Sequence, residues 1–252
     1  MSPKVSIITA TYNSEKFISD LIKSILGQTY QNWEWIITDD CSSDSTFEIL
    51  KDLQKKDCRI KIFKNKINSG AAVSRNNSLK HALGDFVAFV DSDDIWMSNK
   101  LSMQIDFMLK NNVDFSFTAY SVIDESGRGK NIYIDKDNKK KSFNYNDMLN
   151  KRATLGCSTV ILKNKIISDF SMPLLRTGQD YAFWLKVLKN NHTAFLLPVP
   201  LTKYRIVPSS ISRNKFKKAK RQWEIYRKIE RLGFFQSVFC FFNYAYKAVF
   251  RG

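Results

Sequence analysis

Between residues 4 and 91, four short apolar, β-branched runs are separated by three segments of helical period, and this alternation restricts the fold more than any other feature of the chain. "KVSIITA" precedes "EKFISDLIKSIL", where Phe17, Leu21 and Ile25 share a stripe with Ile18 and Ile22 beside it. "WEWIITDD" precedes "STFEILKDLQKK", with Phe47, Leu50 and Leu53 inward, and "RIKIFKN" precedes "AAVSRNNSLKHAL"; "DFVAFVD" closes the series. Strands alternating with helices of this length predict βαβ units, and hence an α/β fold with a mainly parallel central sheet flanked by helices.

In such sheets ligands bind beyond the carboxyl ends of the strands. Each of the four strands ends in ligand-capable residues: Thr9 to Asn13 (with Ala10, Thr11 and Tyr12), Asp39 to Asp44, Asn65 to Gly70, and Asp91 to Asp94. Any one of these loops reads equally as helix capping by Asn, Ser and Asp. Together they gather polar chemistry at one edge. The last is the sharpest, because Asp91, Asp93 and Asp94 crowd three carboxylates into four positions of a chain whose net charge is +16. Like charges that close call for a counter-charge, and a hard divalent ion suits oxygen-only ligands. The other reading is that Asp91 and Asp94 cap the following helix.

After Asp94 the pattern continues as a helix in "NKLSMQIDFMLKN", a strand in "DFSFTAYSVID", an exposed hairpin or loop tip over residues 125 to 142, a strand in "GCSTVILKN", a helix in "DYAFWLKVLKN" and an extended "TAFLLPVPLTKYRIV". No linker interrupts it, so residues 1–212 are expected to form one domain. Cys41, Cys58, Cys157 and Cys240 lie far apart without a C-x-x-C pair, which argues against zinc and against a secreted disulfide framework and fits a reducing cytoplasm. Val5 to Ala10 is too brief for a signal-peptide core or a membrane span.

"VSIITATYN", "DDCSSDST", "SGAAVSRNNSL" and "VDSDD" occur in the order and spacing that resembles the family 2 glycosyltransferases, which have the GT-A fold and use nucleotide-activated sugars. The resemblance covers residues 4 to about 110, and it implies a nucleotide-binding half over about 1–110 and an acceptor half over about 111–212. It implies a nucleobase beside Tyr12 in the Ala10–Asn13 segment, a uracil-accepting carboxylate at Asp40 with Asp39 supporting the loop, and Arg75 near the base or the phosphates. It also implies that Asp93 binds Mn2+ or Mg2+, with Asp91 beside it and near the ribose. Sugar transfer with inversion needs a carboxylate base opposite the leaving group; the family takes it from an acidic pair opening a downstream helix, matched here by Gln179 and Asp180. Asp180 is therefore the candidate base, although an acid in the first turn of a helix is also simply favoured by the helix dipole. A last family segment is matched by Tyr204 to Ser212, with Val207 standing where a His is common; Arg205 or Arg213 is then expected to neutralise the leaving diphosphate. His81 and His192 have no motif around them.

Residues 213–252 hold 11 Lys or Arg against 2 Glu, together with 11 aromatics. "RNKFKKAKRQWEIYRKIERLG" reads as a basic helix, and "FFQSVFCFFNYAYKAVFRG" as a helix apolar nearly all round but for a stripe of Gln236, Asn243 and Lys247. A helix of this kind suits the headgroup boundary of an anionic membrane; the competing reading packs it on the domain or in a dimer seam. Taken together, the sequence predicts a metal-dependent hexosyltransferase, cytoplasmic and peripheral on the inner face of the plasma membrane. It would move a sugar from a UDP-sugar to a lipid-linked (polyprenyl diphosphate) saccharide in O-antigen or capsule biosynthesis. A nucleic-acid-binding protein would suit the basic, aromatic tail but leaves the acidic edge unexplained, so no nucleic acid is expected; a non-catalytic nucleotide-binding scaffold is the third reading.

Overall fold

The computed structural model describes residues 2–167, 169–207 and 215–250. Its strands are β1 (Val5–Thr11), β2 (Trp33–Asp39), β3 (Ile60–Lys64), β4 (Phe86–Phe89), β5 (Ile95–Trp96), β6 (Phe115–Ile123), β7 (Gly129–Ile134), β8 (Ser142–Phe143), β9 (Val160–Lys163) and β10 (Ala194–Arg205). Its α-helices are α1 (Glu15–Leu26), α2 (Thr46–Lys56), α3 (Ala71–Leu79), α4 (Lys100–Lys110), α5 (Tyr145–Leu149), α6 (Gln179–Lys189), α7 (Lys215–Glu224) and α8 (Phe234–Phe250). A π-helical turn, Ile225–Ile229, follows α7 directly.

The strands form one ten-stranded sheet in the order β3-β2-β1-β4-β9-β6-β10-β5, with β7 beside β6 and β8 beside β10. The expected parallel βαβ arrangement holds for β3, β2, β1 and β4. Beyond β4 the sheet is mixed: β9 runs antiparallel to both β4 and β6, whereas β10 lies parallel to β6. The long β10 slips register on either side of Pro200, where a residue without an N–H cannot carry the ladder.

β2 and β4 are buried along their whole length because both sheet faces are covered. Alternate residues of β1 feed different cores: Val5 and Ile7 pack with Leu21 and Ile25 of α1, Leu50 of α2 and Leu101 and Ile105 of α4. Ile8 packs on the other face with Ala72 of α3, Met148 and Leu149 of α5 and Phe183, Trp184 and Leu188 of α6. Ile225, Tyr226, Leu232 and Cys240 join that second core, so the tail is packed on the domain. Two residues of the polar stripe of α8 turn inward, with Asn243 Nδ2 donating to Asn150 Oδ1 (2.7 Å) and Lys247 Nζ to the Lys151 carbonyl (2.7 Å), whereas Gln236 is exposed. Its aromatic side is exposed instead: Phe235 is 87% exposed, with Phe234, Phe239, Phe242 and Tyr246 also exposed. Arg213, residues 208–212 of the last family segment and the domain boundary placed after residue 212 lie outside the described residues.

Candidate active site

The carboxyl ends of β1, β2 and β4 open on one cavity of about 520 Å3, lined by Ala10, Thr11, Tyr12, Asn13, Ser14, Phe17, Asp40, Ala71, Arg75, Asp91, Ser92, Asp93 and Val207. Most of the residues expected at a nucleotide site thus meet on one wall. A second cavity, of about 360 Å3 between Asn144–Asn146 and Leu188–Thr193, has no carboxylate in its lining.

The β1 and β2 loops build the first side. Asn13 takes the left-handed conformation (φ 47°), which its short amide tolerates, and its Oδ1 accepts from Ser43 N at 2.9 Å. Asp39, fully buried, accepts from Thr11 Oγ1 (3.1 Å) and Ser42 N (2.9 Å), so it sits behind the wall and fixes the loop. Asp40 faces the cavity. Its Oδ1 accepts from Asn65 Nδ2 and Ser69 N, both at 2.8 Å, and its Oδ2 from Gly70 N at 2.6 Å. A carboxylate has about four acceptor positions, so Asp40 retains one for an N–H in the cavity.

The acidic turn after β4 forms the second side. Arg75 of α3 is buried and donates through Nη2 to Asp91 Oδ1, while its Nε and Nη1 have no partner. Ser92 Oγ meets Ser14 Oγ at 2.7 Å, tying the turn to the start of α1. Burial, then the charge of Asp91, pushes the Asp93 carboxyl up to about 6. Asp94 is buried and held well above the usual carboxylate range by desolvation and by its two acidic neighbours, although Ser158 Oγ and Arg205 N donate to it. Asp94 is thus an internal support, and Asp91 and Asp93 are the pair that reaches the cavity. Among the described residues no group of three or more His, Cys, Asp or Glu converges to cage a metal ion. Two carboxylates with a deficit of positive charge fit an ion that completes its shell with phosphate oxygens and water.

Arg205 lies elsewhere than expected. Its Nε donates to the Asp93 carbonyl (2.8 Å), Nη1 to the Glu125 carbonyl (2.9 Å) and Nη2 to Asp20 Oδ2 (2.8 Å), and the guanidinium stacks 5.1 Å from the Phe17 ring. These contacts place the guanidinium against the acidic turn, outside the cavity lining, where it braces the turn. Asp180 stands in the first turn of α6, outside the cavity lining, close enough to Arg75 for the two charges to act on each other. Ser14, Phe17, Ala71 and Ser92 were not among the residues singled out from sequence. Phe17 carried a signal, but its period assigned it to the core; it lies in the first turn of α1, which overhangs the strand ends.

An open α/β sheet with an acid-rimmed cavity at its strand ends is the architecture of a nucleotide-sugar transferase of the GT-A type. A family model described as glycosyl transferase family 2 matches residues 6–170, and the chain belongs to that family. It is 44% identical over 247 residues to TuaG of Bacillus subtilis (strain 168), a glycosyltransferase named for teichuronic acid biosynthesis, covering 98% of this chain and 96% of TuaG. It is 46% identical over 222 residues to Escherichia coli WfgD, a UDP-Glc:alpha-D-GlcNAc-diphosphoundecaprenol beta-1,3-glucosyltransferase, covering 88% of this chain and 84% of WfgD. The solved structure of S. aureus TarS 1–349 with UDP-GlcNAc superposes with a TM-score of 0.73 at 26% identity. That match takes in 89% of this chain and 64% of the TarS chain.

Proposed function

We propose that the protein is a metal-dependent, inverting hexosyltransferase that moves a sugar from a UDP-sugar to a saccharide carried on a polyprenyl diphosphate, in the assembly of a surface polysaccharide. The cavity that joins Tyr12, Asp40, Arg75, Asp91 and Asp93 carries this reading. Tyr12 offers a ring face to the base, Asp40 its remaining acceptor position to the uracil imide, and Arg75 its unpartnered Nε and Nη1 to the donor. Asp93 with Asp91 would hold Mn2+ or Mg2+, which when bound neutralises the departing diphosphate. The activity for which WfgD is named supports UDP and a lipid-linked acceptor, and the UDP-GlcNAc complex of TarS supports the donor class.

In the transfer, the Asp180 carboxylate takes the proton of the acceptor hydroxyl. That oxygen bonds to the anomeric carbon as the bond from this carbon to the UDP oxygen breaks on the opposite face, and the electron pair leaves with UDP. Arg205 keeps the Asp93 turn in place from behind.

The proposal extends to the cell surface. No described helix is long and apolar enough to cross a membrane. The exposed aromatic side of α8, flanked by exposed Arg227, Lys228 and Arg231, supports docking on the anionic inner face of the plasma membrane, where such an acceptor is presented.

Calorimetric titration of UDP, with and without Mn2+, into wild type and Asp93→Ala tests the donor site. The expected result is binding that needs the metal and is lost in the variant; UDP binding unchanged by either would overturn it. Asp180→Asn is expected to bind UDP as wild type does and to lose transfer by about a thousandfold or more, and normal turnover in that variant would remove the base from Asp180.

A further inference from the structure

Beside the proposed base lies a concentration of positive charge that the donor site does not use. α5 stops at Leu149, and Lys151 follows in the left-handed conformation (φ 53°) with its Nζ 3.1 Å from the centre of the Tyr181 ring and 5.8 Å from that of Tyr244. Tyr181 is the residue next to Asp180. Among the described residues Lys151 has no ion pair or hydrogen bond through its ammonium group. Arg221 of α7 approaches the same place from the tail. A Cβ built on Gly178, two residues before Asp180, would lie 2.7 Å from Arg221 Nε and 2.8 Å from its Cδ. That Nε is buried and without a partner.

The segment is held firmly. Tyr181 donates to the Met148 carbonyl (2.9 Å), Tyr226 of the π-helical turn to the Leu149 carbonyl (2.8 Å), and Lys247 of α8 to the Lys151 carbonyl. Tail and domain therefore meet at Lys151. Burial pushes the Lys151 ammonium down to about 7, Asp180 opposes that fall and Arg221 adds to it. Two basic side chains thus flank the Gly178–Tyr181 segment, and Asp180 is the carboxylate, among the described residues, whose charge acts on Lys151. Such an excess is relieved by an anion of two or more charges, and guanidinium and ammonium groups are both suited to phosphate oxygens.

We propose that Lys151 and Arg221 bind the diphosphate of the acceptor, so that the saccharide attached to it is held with its hydroxyl against Asp180. The inference rests on the lipid-linked acceptor of the functional reading. It assigns the two phosphates to the seam between α6 and the tail, from which the lipid leaves along the exposed aromatic side of α8.

The test uses the full chain in EDTA, which keeps a diphosphate out of the cation-dependent donor cavity, and titrates farnesyl diphosphate, inorganic pyrophosphate and farnesol separately. Farnesyl diphosphate is expected to bind, and Lys151→Gln and Arg221→Gln each to weaken it by about tenfold to a hundredfold, as loss of a charge-assisted contact does. Lys151→Arg should retain binding, which separates a charge contact from a damaged fold. Inorganic pyrophosphate should bind more weakly with the same dependence on the two positions. Failure of farnesyl diphosphate to bind, equal binding to the Gln variants, or farnesol binding as tightly as farnesyl diphosphate would overturn the proposal. UDP titrated with Mn2+ into the same variants is expected to bind as in wild type; if UDP fails with wild type, it is the donor reading that falls.

Discussion

Gly178 and Asp93 show how much rests on single positions. Gly178 has φ 71°, a conformation that costs any residue with a Cβ, and the space its Cβ would fill is taken by Arg221. Gly178→Ala is expected to lower stability by about 1–2 kcal/mol in urea unfolding and to displace Arg221 from the base. Asp93 works in the other direction. Its folded carboxyl keeps its proton to about pH 6, against an ordinary value near 3.8, so between those limits the folded state binds more protons than the unfolded one. Stability of the metal-free protein therefore falls as pH rises through that window. Asp93→Asn should stabilise the metal-free protein by about 2–3 kcal/mol at pH 7.5, with the gain vanishing below about pH 3, while abolishing metal-dependent UDP binding; thermal melts across pH measure the first and calorimetry the second. Asp39, Asp40 and the three acids of the turn were legible in sequence because carboxylates at strand ends are conspicuous. Lys151 and Arg221 were not, since neither belongs to a motif and they meet only through tertiary packing.

Among the elements, those with strong period follow the sequence closely: α1, α2, α4 and α6 fall where the apolar stripes put them. The short β5 and β8, the five-residue α5 and the π-helical turn leave too few residues to register a period. The reversed direction of β9 is silent for a different reason, because a strand buried on both faces reads the same in either direction. For α8 the polar stripe was visible, yet a helical wheel cannot say which side the domain occupies. The structure answers with Asn243 and Lys247 as contacts to the domain, which leaves the aromatic side outward. β10 delivers the most consequential side chain, since Arg205 joins the acidic turn, α1 and the β6–β7 hairpin. Arg205→Lys keeps a charge but cannot reach three acceptors at once. It is expected to weaken UDP and Mn2+ binding by about tenfold with the fold retained, as read by titration alongside circular dichroism.

At the scale of the whole molecule, the net charge of +16 and the exposed side of α8 act together. Substituting Phe235, Phe239 and Phe242 by Ser is expected to abolish sedimentation with vesicles rich in anionic lipid, while UDP binding stays unchanged. Raising salt from 0.1 to 0.5 M should weaken the wild-type association by screening its cations, the aromatic contribution remaining. If the triple variant sediments like wild type, the aromatic side serves another purpose. The composition of the tail suits an anionic membrane, but composition alone could not say that Ile225, Tyr226, Leu232, Cys240, Asn243 and Lys247 would hold it to the domain.

The brace at Arg205 has a property that follows from which atoms it grips. Two of its three guanidinium bonds end on main-chain carbonyls, those of Asp93 and Glu125, and only Asp20 contributes a side chain. A carbonyl is present whatever residue stands there. The side chain at position 125 can therefore change without loss of the bond that fastens the turn, whereas Gly127 of the same tip, at φ 86°, is held to glycine. The grip on the turn is thus indifferent to the side chains at positions 93 and 125 and reads only the path of the main chain.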